Sequence, residues 1–362
     1  MPDNNRNVDY ESLVSFCAEV FRALELSETD SMQAARVLVA ADARGIPSHG
    51  VGRLWRYVNG LQTRLMLPDA CPETVMDTPS SIVVNARGGM GAPVSVDTME
   101  KVIAKAETSG AAFGCIKDSN HFGIAGYYAM MALEKDMLGI AMTNTAALGV
   151  PTFGKQVMYG TNPIAFAAPA DREESFVLDM STTVVTRGKI EVYDRLEKPL
   201  PLGWAVDKTG QSASHARQIL EDMFHRYGGG ILPLGGYGDQ FGGHKGYGLA
   251  VMVDILCAVL CGAPFGTDIC DTETSSARVG HFFGAIKIDR FRDPMDFRRD
   301  MDTMLKRLRE CPTADDCERV YFAGQKELEH TDLAMREGVP VLEKTCESLR
   351  EIGKDLGIDP PL

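Results

Sequence analysis

The sequence is short of the signatures that would assign a metal or a nucleotide at once. It holds no H-E-x-x-H pair, no EF-hand loop and no C-x-x-C pair, so the common zinc and calcium frameworks are missing and no metal is expected. Neither a G-x-G-x-x-G turn nor a G-x-x-x-x-G-K-[ST] loop occurs, which removes two familiar glycine-rich phosphate cradles. The nine cysteines (Cys17, Cys71, Cys115, Cys257, Cys261, Cys270, Cys311, Cys317 and Cys346) are odd in number and scattered, which reads as reduced thiols and not as a disulfide framework. Positive charge is also scarce. With 37 Lys and Arg against 50 Asp and Glu, the formal charge is -13, and no basic stripe interleaves with aromatics, so nucleic acid is not an expected partner. The longest apolar stretch, Tyr247 to Ala263, carries Asp254 at its centre and falls short of a bilayer span. The polar opening MPDNNRNVDYESLV lacks the apolar core of a signal peptide. A cytoplasmic protein without a membrane partner is expected.

What is present is an ordinary globular composition, 44% hydrophobic and 24% charged, over 362 residues. At roughly 150 residues per domain this length suggests about two domains with a cleft between them. The first 65 residues carry helical spacing through Leu13, Phe16, Cys17, Val20, Phe21 and Leu24, and Ser27 offers a cap for a second helix. From Ser80 the texture changes. The runs SIVVNA, AAFGCIK, LGIAMTN, IAFAAPA and SFVLDM have strand length, and helices are predicted over 94–107 and 125–134, giving an α/β core. Residues 246–260 are apolar on nearly every face, which predicts a helix in the interior. After about Asp289 the chain is charged and helical again, and its two ends are expected to pack together. The segment RYGGGILPLGGYGDQFGGHKGYG predicts frequent positive φ and close backbone approach.

The sharpest local signal is Ser48-His49-Gly50-Val51-Gly52-Arg53-Leu54-Trp55-Arg56-Tyr57, directly after Pro47. It predicts a helix start with Ser48 as N-cap, on which His49, Arg53 and Tyr57 share an arc of about 80°. Such a trio suits a 2-oxo acid: the guanidinium grips a carboxylate with two prongs, and an imidazole exchanges a proton with the carbonyl oxygen near neutrality. Ser48 would orient or relay. A solvated polar face carrying a chance histidine is the competing reading.

Three further segments suit a dinucleotide. Asn120-His121-Phe122-Gly123 follows a strand, and a helix starting near Gly123 or Ile124 would offer free N–H groups to pyrophosphate, although Asn-His is also common in plain turns. Gly243-His244-Lys245-Gly246 sets a cation at a helix start, where it suits a phosphate. Asp254 inside that helix must be hydrogen-bonded or paired. Asp179, in the run from Phe176 to Thr183, can accept from ribose hydroxyls or cap a helix, and Arg187 and Lys189 follow it.

Taken in order, ADARGIPSHGVGRLWRY, SNHFGIAGYYAMMAL, YGTNPIAFAAP, VLDMSTTVVTRGKIEV and GGHKGYGLAVMVDIL make nearly the whole chain similar to the malate/L-lactate dehydrogenase family. That family is of a non-Rossmann kind, with relatives among the ureidoglycolate, sulfolactate and diketogulonate dehydrogenases and the piperideine-2-carboxylate reductases. The resemblance implies an α/β fold: an NAD(P)-binding domain (79–288) on a large, mainly antiparallel sheet with flanking helices, and a mainly helical catalytic domain built from 1–78 with 289–362. It further implies a homodimer that moves a hydride between NAD(P)H, NAD being preferred to NADP, and a small 2-oxo or 2-hydroxy carboxylic acid. By matching motif, His49 is the acid/base with Ser48 beside it, Arg53 and Tyr57 hold the substrate, and His121 lines the same pocket, either imidazole being able to carry the proton. Asn120, His121, Phe122, Gly123, Ile124, Asp179, Met180, Ser181, Lys189, His244 and Lys245 fall on cofactor-binding segments. Two departures stand out. The segment Thr143 to Ala147 differs from the family's N-x-S-P, which makes Thr145 the substrate-side candidate, and an F-P-G-E-like motif reads Phe322-Ala323-Gly324-Gln325, keeping only Gly324 of its cofactor contact. Two rival readings are a reductase of cyclic C=N bonds and a catalytically silent small-molecule binder of the same fold.

Overall fold

A computed structural model describes residues 5–272 and 274–362. A short strand β1 (Asn5–Val8) leads into α1 (Tyr10–Ala23), whose three- and four-residue spacing buries Leu13, Phe16, Cys17, Val20 and Phe21. Ser27 caps α2 (Glu28–Ala43) by accepting from the Asp30 N–H at 3.1 Å. Then come α3 (Leu54–Gln62), β2 (Glu73–Asp77), β3 (Ser81–Asn85), α4 (Gly91–Ser109), β4 (Ala111–Ser119) and α5 (Ala125–Met131). The chain continues through β5 (Met137–Thr143), β6 (Ile164–Ala168) and β7 (Phe176–Met180), so the five apolar runs after Ser80 are β3 to β7. Next are α6 (Arg187–Arg195), β8 (Ala205–Val206), α7 (Ala216–His225), β9 (Gly230–Ile231) and α8 (Gly243–Asp254). The last elements are β10 (Val279–Lys287), α9 (Pro294–Arg309), α10 (Gln325–Glu337), β11 (Val339–Leu342) and α11 (Glu343–Leu356).

A seven-stranded sheet in the order β2-β3-β4-β10-β5-β6-β7 forms the centre. β3 and β4 pair in parallel across α4, while the other neighbours pair antiparallel. Alternation along the strands sends Ile116 and Phe283 to one face, against Val102 of α4 and Tyr128 of α5, and Cys115 and Phe282 to the other, against Val253 and Cys257. The two chain ends meet as expected: β1 and β11 pair antiparallel, Val8 opposite Val339. The fold is therefore the mixed α/β arrangement with a large, mainly antiparallel sheet that the motifs implied. Among the described residues, no helix is long and apolar enough to cross a membrane.

The expectation of an interior helix over 246–260 is overturned. Helix α8 ends at Asp254 and continues as a π-helical turn, Ile255–Val259. It covers one face of the sheet from outside, so only one side of it is buried; Ile255, Val259 and Leu260 are at least half exposed. Asp254 is partnered, as its burial demanded, by Asn144 Nδ2 donating at 3.1 Å.

Candidate functional site

The segment after α2 does not form the helix that its spacing suggests. Pro47–His49 and Val51–Arg53 are two 3-10 turns separated by Gly50 in an extended conformation, and α3 starts only at Leu54. Ser48 is consequently no N-cap; its Oγ lies 3.0 Å from His49 Nδ1. The cause of the break is visible below the turn. Asp42, at the end of α2, is buried and accepts the Val51 N–H at 2.6 Å. A Cβ on Gly50 would stand 2.1 Å from that carboxyl carbon, so only glycine lets the turn settle there. Burial raises the Asp42 carboxyl to about 7, opposed by the Val51 N–H.

His49 thus meets its partners by stacking and not by helical alignment. Its ring lies on that of His121, centroids 5.5 Å apart and planes 24° from parallel. His121 follows β4, and its Nδ1 receives the Gly123 N–H at 3.3 Å and lies 2.6 Å from Tyr57 Oη. An atom that accepts from a backbone N–H carries no proton of its own, so the phenol donates and the neutral His121 ring holds its hydrogen on Nε2. Burial first and the Arg53 guanidinium second push His49 down to about 4 and hold His121 well below the usual imidazole range. Burial pushes the Tyr57 phenol up to about 12. At neutral pH the stack is two uncharged imidazoles and a protonated phenol beside a guanidinium.

Arg53 Nε donates to the Ser48 carbonyl, which ties the two 3-10 turns together. Three residues on, Arg56 pairs with Asp271, brought in from a loop 215 positions away. Thr145 lies after β5, where its Oγ1 accepts the Thr161 N–H at 3.0 Å and its own N–H donates to Asn162 Oδ1 at 3.2 Å.

The cofactor-side candidates are placed unevenly. The Asn120 amide is spent within the protein: it donates to the Gly88 and Gly89 carbonyls and accepts from Ser276 Oγ. Phe122 is a core residue stacked on His281 at 4.5 Å, and Ile124 is buried as well. Helix α5 begins at Ala125, and the Gly126 N–H, one of its first free donors, is already held at 2.7 Å by Asp179. Asp179 therefore has the capping role weighed as an alternative. It still opens to solvent while being ringed by protein, and burial raises it to about 6 against the Gly126 N–H and Arg44. Met180 and Ser181 are partly buried at the end of β7. Lys189 is exposed on the first turn of α6, and His244 and Lys245 are exposed on the first turn of α8, which has no side-chain cap. Gly324 has φ +93° and packs on β7, where a Cβ would stand 2.8 Å from Val177, so its glycine is required by the backbone.

Four residues that pack around these candidates escaped the sequence reading: Asp42, Arg56, Asp271 and His281. His281 lies fully buried on β10 between Thr143 Oγ1 at 2.7 Å and Ser119 Oγ at 2.9 Å, and supports Phe122 from below. The motif "HFF" in an apolar run was the only signal for it. Among the described residues, no group of three or more His, Cys, Asp or Glu is placed to hold a metal.

Residues 8–350 match the family model described as malate/L-lactate dehydrogenase. The chain is 38% identical to a malate dehydrogenase of Pyrococcus horikoshii over 357 residues, covering 99% of this chain and 97% of that one. It is 34% identical to an L-sulfolactate dehydrogenase of Methanocaldococcus jannaschii, covering 94% of each. The fold superposes on the crystal structure of a malate dehydrogenase from Entamoeba histolytica with a TM-score of 0.94 at 29% identity, over 99% of this chain and 100% of that one.

Proposed function

The chain belongs to the malate/L-lactate dehydrogenase family, and from that premise we propose that it interconverts a small 2-oxo acid and its 2-hydroxy acid at the His49–His121–Arg53 cluster, using NAD(P)H. The observation that carries this reading is the stacking of the His49 and His121 rings beside the half-buried Arg53 guanidinium. When bound, the reduced nicotinamide supplies the hydride that becomes the new C2–H bond. Arg53 grips the substrate carboxylate. The charge that develops on the C2 oxygen then needs a donor and a proton.

The two histidines divide that work. His121 already takes two hydrogen bonds on Nδ1, so protonating that nitrogen would set it against the Gly123 N–H; the ring stays neutral and offers Nε2–H to the oxygen. His49 faces a serine hydroxyl that can rotate to donate or accept, so it tolerates both protonation states and transfers the proton. A substrate carboxylate seated on Arg53 cancels part of the charge that depresses His49, which makes the imidazole easier to protonate when substrate is present. Thr145 borders the substrate side.

The donor set fits a dinucleotide without a Rossmann fingerprint. Lys245 and His244 at the uncapped start of α8, with Lys189 at the start of α6, suit a pyrophosphate. The Asp179 carboxylate keeps one oxygen for a ribose hydroxyl, which favours NAD over NADP because a 2′-phosphate would be repelled. We assign residues 79–288 to the cofactor-binding domain and 1–78 with 289–362 to the catalytic domain, and propose a homodimer. The nine free thiols suit the reducing cytoplasm. The test is oxidation of NADH and NADPH, followed by absorbance, with oxaloacetate, pyruvate, sulfopyruvate and a cyclic imino acid. Consumption with the 2-oxo acids is expected. Consumption with the imine alone would make the protein a C=N reductase, and none at all would make it a binding protein.

A further inference from the structure

Arg56 has no part in the chemistry above, yet it stands next to it. Arg53 is the residue that flanks the start of α3, with φ -94° and ψ -3°, so Arg56, three residues on, lies about one turn along the chain from it. Residues at that spacing have Cβ atoms about 5–6 Å apart. Arg56 and Asp271 are about one-third exposed, and Arg56 Nη2 touches both carboxylate oxygens at 2.5 Å. The loop that carries Asp271 is anchored at two points, the second of them next to His121. At one end Asn144 Nδ2 donates to the Pro264 carbonyl at 3.0 Å, and at the other Ser276 Oγ donates at 3.0 Å to Asn120, the residue before His121. A carboxylate is thereby presented to the second guanidinium of the site, while Arg53 donates to a backbone carbonyl.

One guanidinium suffices for a 2-oxo acid with a single carboxylate. A second, three residues on and paired with a loop aspartate, matches a substrate whose C3 bears another acidic group. Resting on the reading of the preceding subsection, we propose that Arg56 recognises the distal acidic group of a 2-oxo diacid, carboxylate or sulfonate, and that Asp271 is its internal competitor. Exchange of one anion for another keeps the Arg56 charge compensated throughout, so no unpaired buried cation is created on the way.

The experiment measures kcat/KM with saturating NADH for oxaloacetate, sulfopyruvate and pyruvate, and reads the ratio of each diacid to pyruvate. Arg56→Leu is expected to lower that ratio about 100-fold, the order found when one partner of a desolvated charge pair is removed. Asp271→Asn, which removes the competitor, is expected to raise it roughly threefold or more, a small shift of the size seen for partly exposed pairs. A fall confined to oxaloacetate or to sulfopyruvate supports the proposal and identifies the acid group. A ratio that Arg56→Leu leaves unchanged, with both substrates affected alike or neither, overturns it. If Arg56→Leu does not fold, Asp271→Asn decides alone, and an unchanged or lower ratio overturns the proposal. A wild-type protein that oxidises NADH with none of the acids overturns the parent reading, a result distinct from activity that is blind to Arg56.

Discussion

The segment around His49 and the segment around Lys245 are both short turns leading into a helix, yet they are built differently. Around His49 the polar groups have partners: Asp42 under Val51, Ser48 on His49, Tyr57 on His121, and Arg53 on the Ser48 carbonyl. Around Lys245 the helix starts after a left-handed Gly242 without a side-chain cap, and both His244 and Lys245 face solvent. Groups that must hold and release a proton need a fixed geometry in a low-dielectric setting. Groups that neutralise a flexible diphosphate need reach, and lysine supplies a point charge on a long stem. On the function proposed above, the first segment would carry the chemistry and the second would capture the diphosphate.

If that division holds, substitutions in the first segment damage turnover and those in the second damage affinity. The largest effect is expected from His49→Ala, with the rate of 2-oxo acid reduction falling on the order of 10²- to 10⁴-fold and NADH affinity kept. Stopped-flow turnover and a fluorescence titration check the two halves. Near-normal rates in His49→Ala with a collapse in His121→Ala would exchange the two roles. Next, Arg53→Lys should raise the Michaelis constant for the acid about 10- to 100-fold, because an ammonium loses the planar two-pronged grip; steady-state kinetics that match the wild type would remove Arg53 from the substrate site. A smaller effect, a loss of roughly tenfold in NADH affinity without change in the committed chemical step, is expected for Lys245→Ala. Wild-type affinity would dismiss the assignment of that cation.

A further effect, on stability and not on turnover, concerns the support of the first segment. The Asp42 carboxyl lies at about 7 in the fold, above its unfolded value near 3.9. The folded state therefore holds that proton more tightly, and the stability this gives is present below the unfolded value and is lost as pH rises through 7. His49, lowered to about 4, slopes the opposite way and stabilises more as pH rises from 4 toward 6.5. Comparing the wild type with Asp42→Asn cancels the histidine. Denaturant unfolding at about pH 5 and about pH 8 should show the asparagine variant gaining relative to wild type at the higher pH. An equal difference at both values would mean that Asp42 is not raised.

Those substitutions divide into residues that were legible in the sequence and residues that were not. Strands β3 to β7 and the capped α2 were legible because alternation, helical spacing and a serine cap are local signals. The central strand β10 was not, for it is buried on both faces and has no alternation, with Gly280, His281 and Gly284 interrupting its apolar run. His49, Arg53 and Tyr57 are brought into one neighbourhood, but their link passes through His121, 64 positions from Tyr57, and not along one helix face. Asp42 read as one more acid on a helix, since its bond to Val51 crosses the Gly50 break. The Arg56–Asp271 pair joins segments 215 residues apart, and no spacing rule reaches that far.

The most direct measurement follows a label. Wild-type protein is mixed with oxaloacetate and NADH carrying deuterium at C4 of the nicotinamide, on either face, and the hydroxy acid is analysed by mass and magnetic resonance. Deuterium at C2 of the product from one face only, formed on the order of 10²- to 10⁴-fold more slowly by His49→Ala although it still binds NADH, is the expected result. Product formed without the label from either face, or labelled product formed at wild-type rates by His49→Ala, would contradict the account.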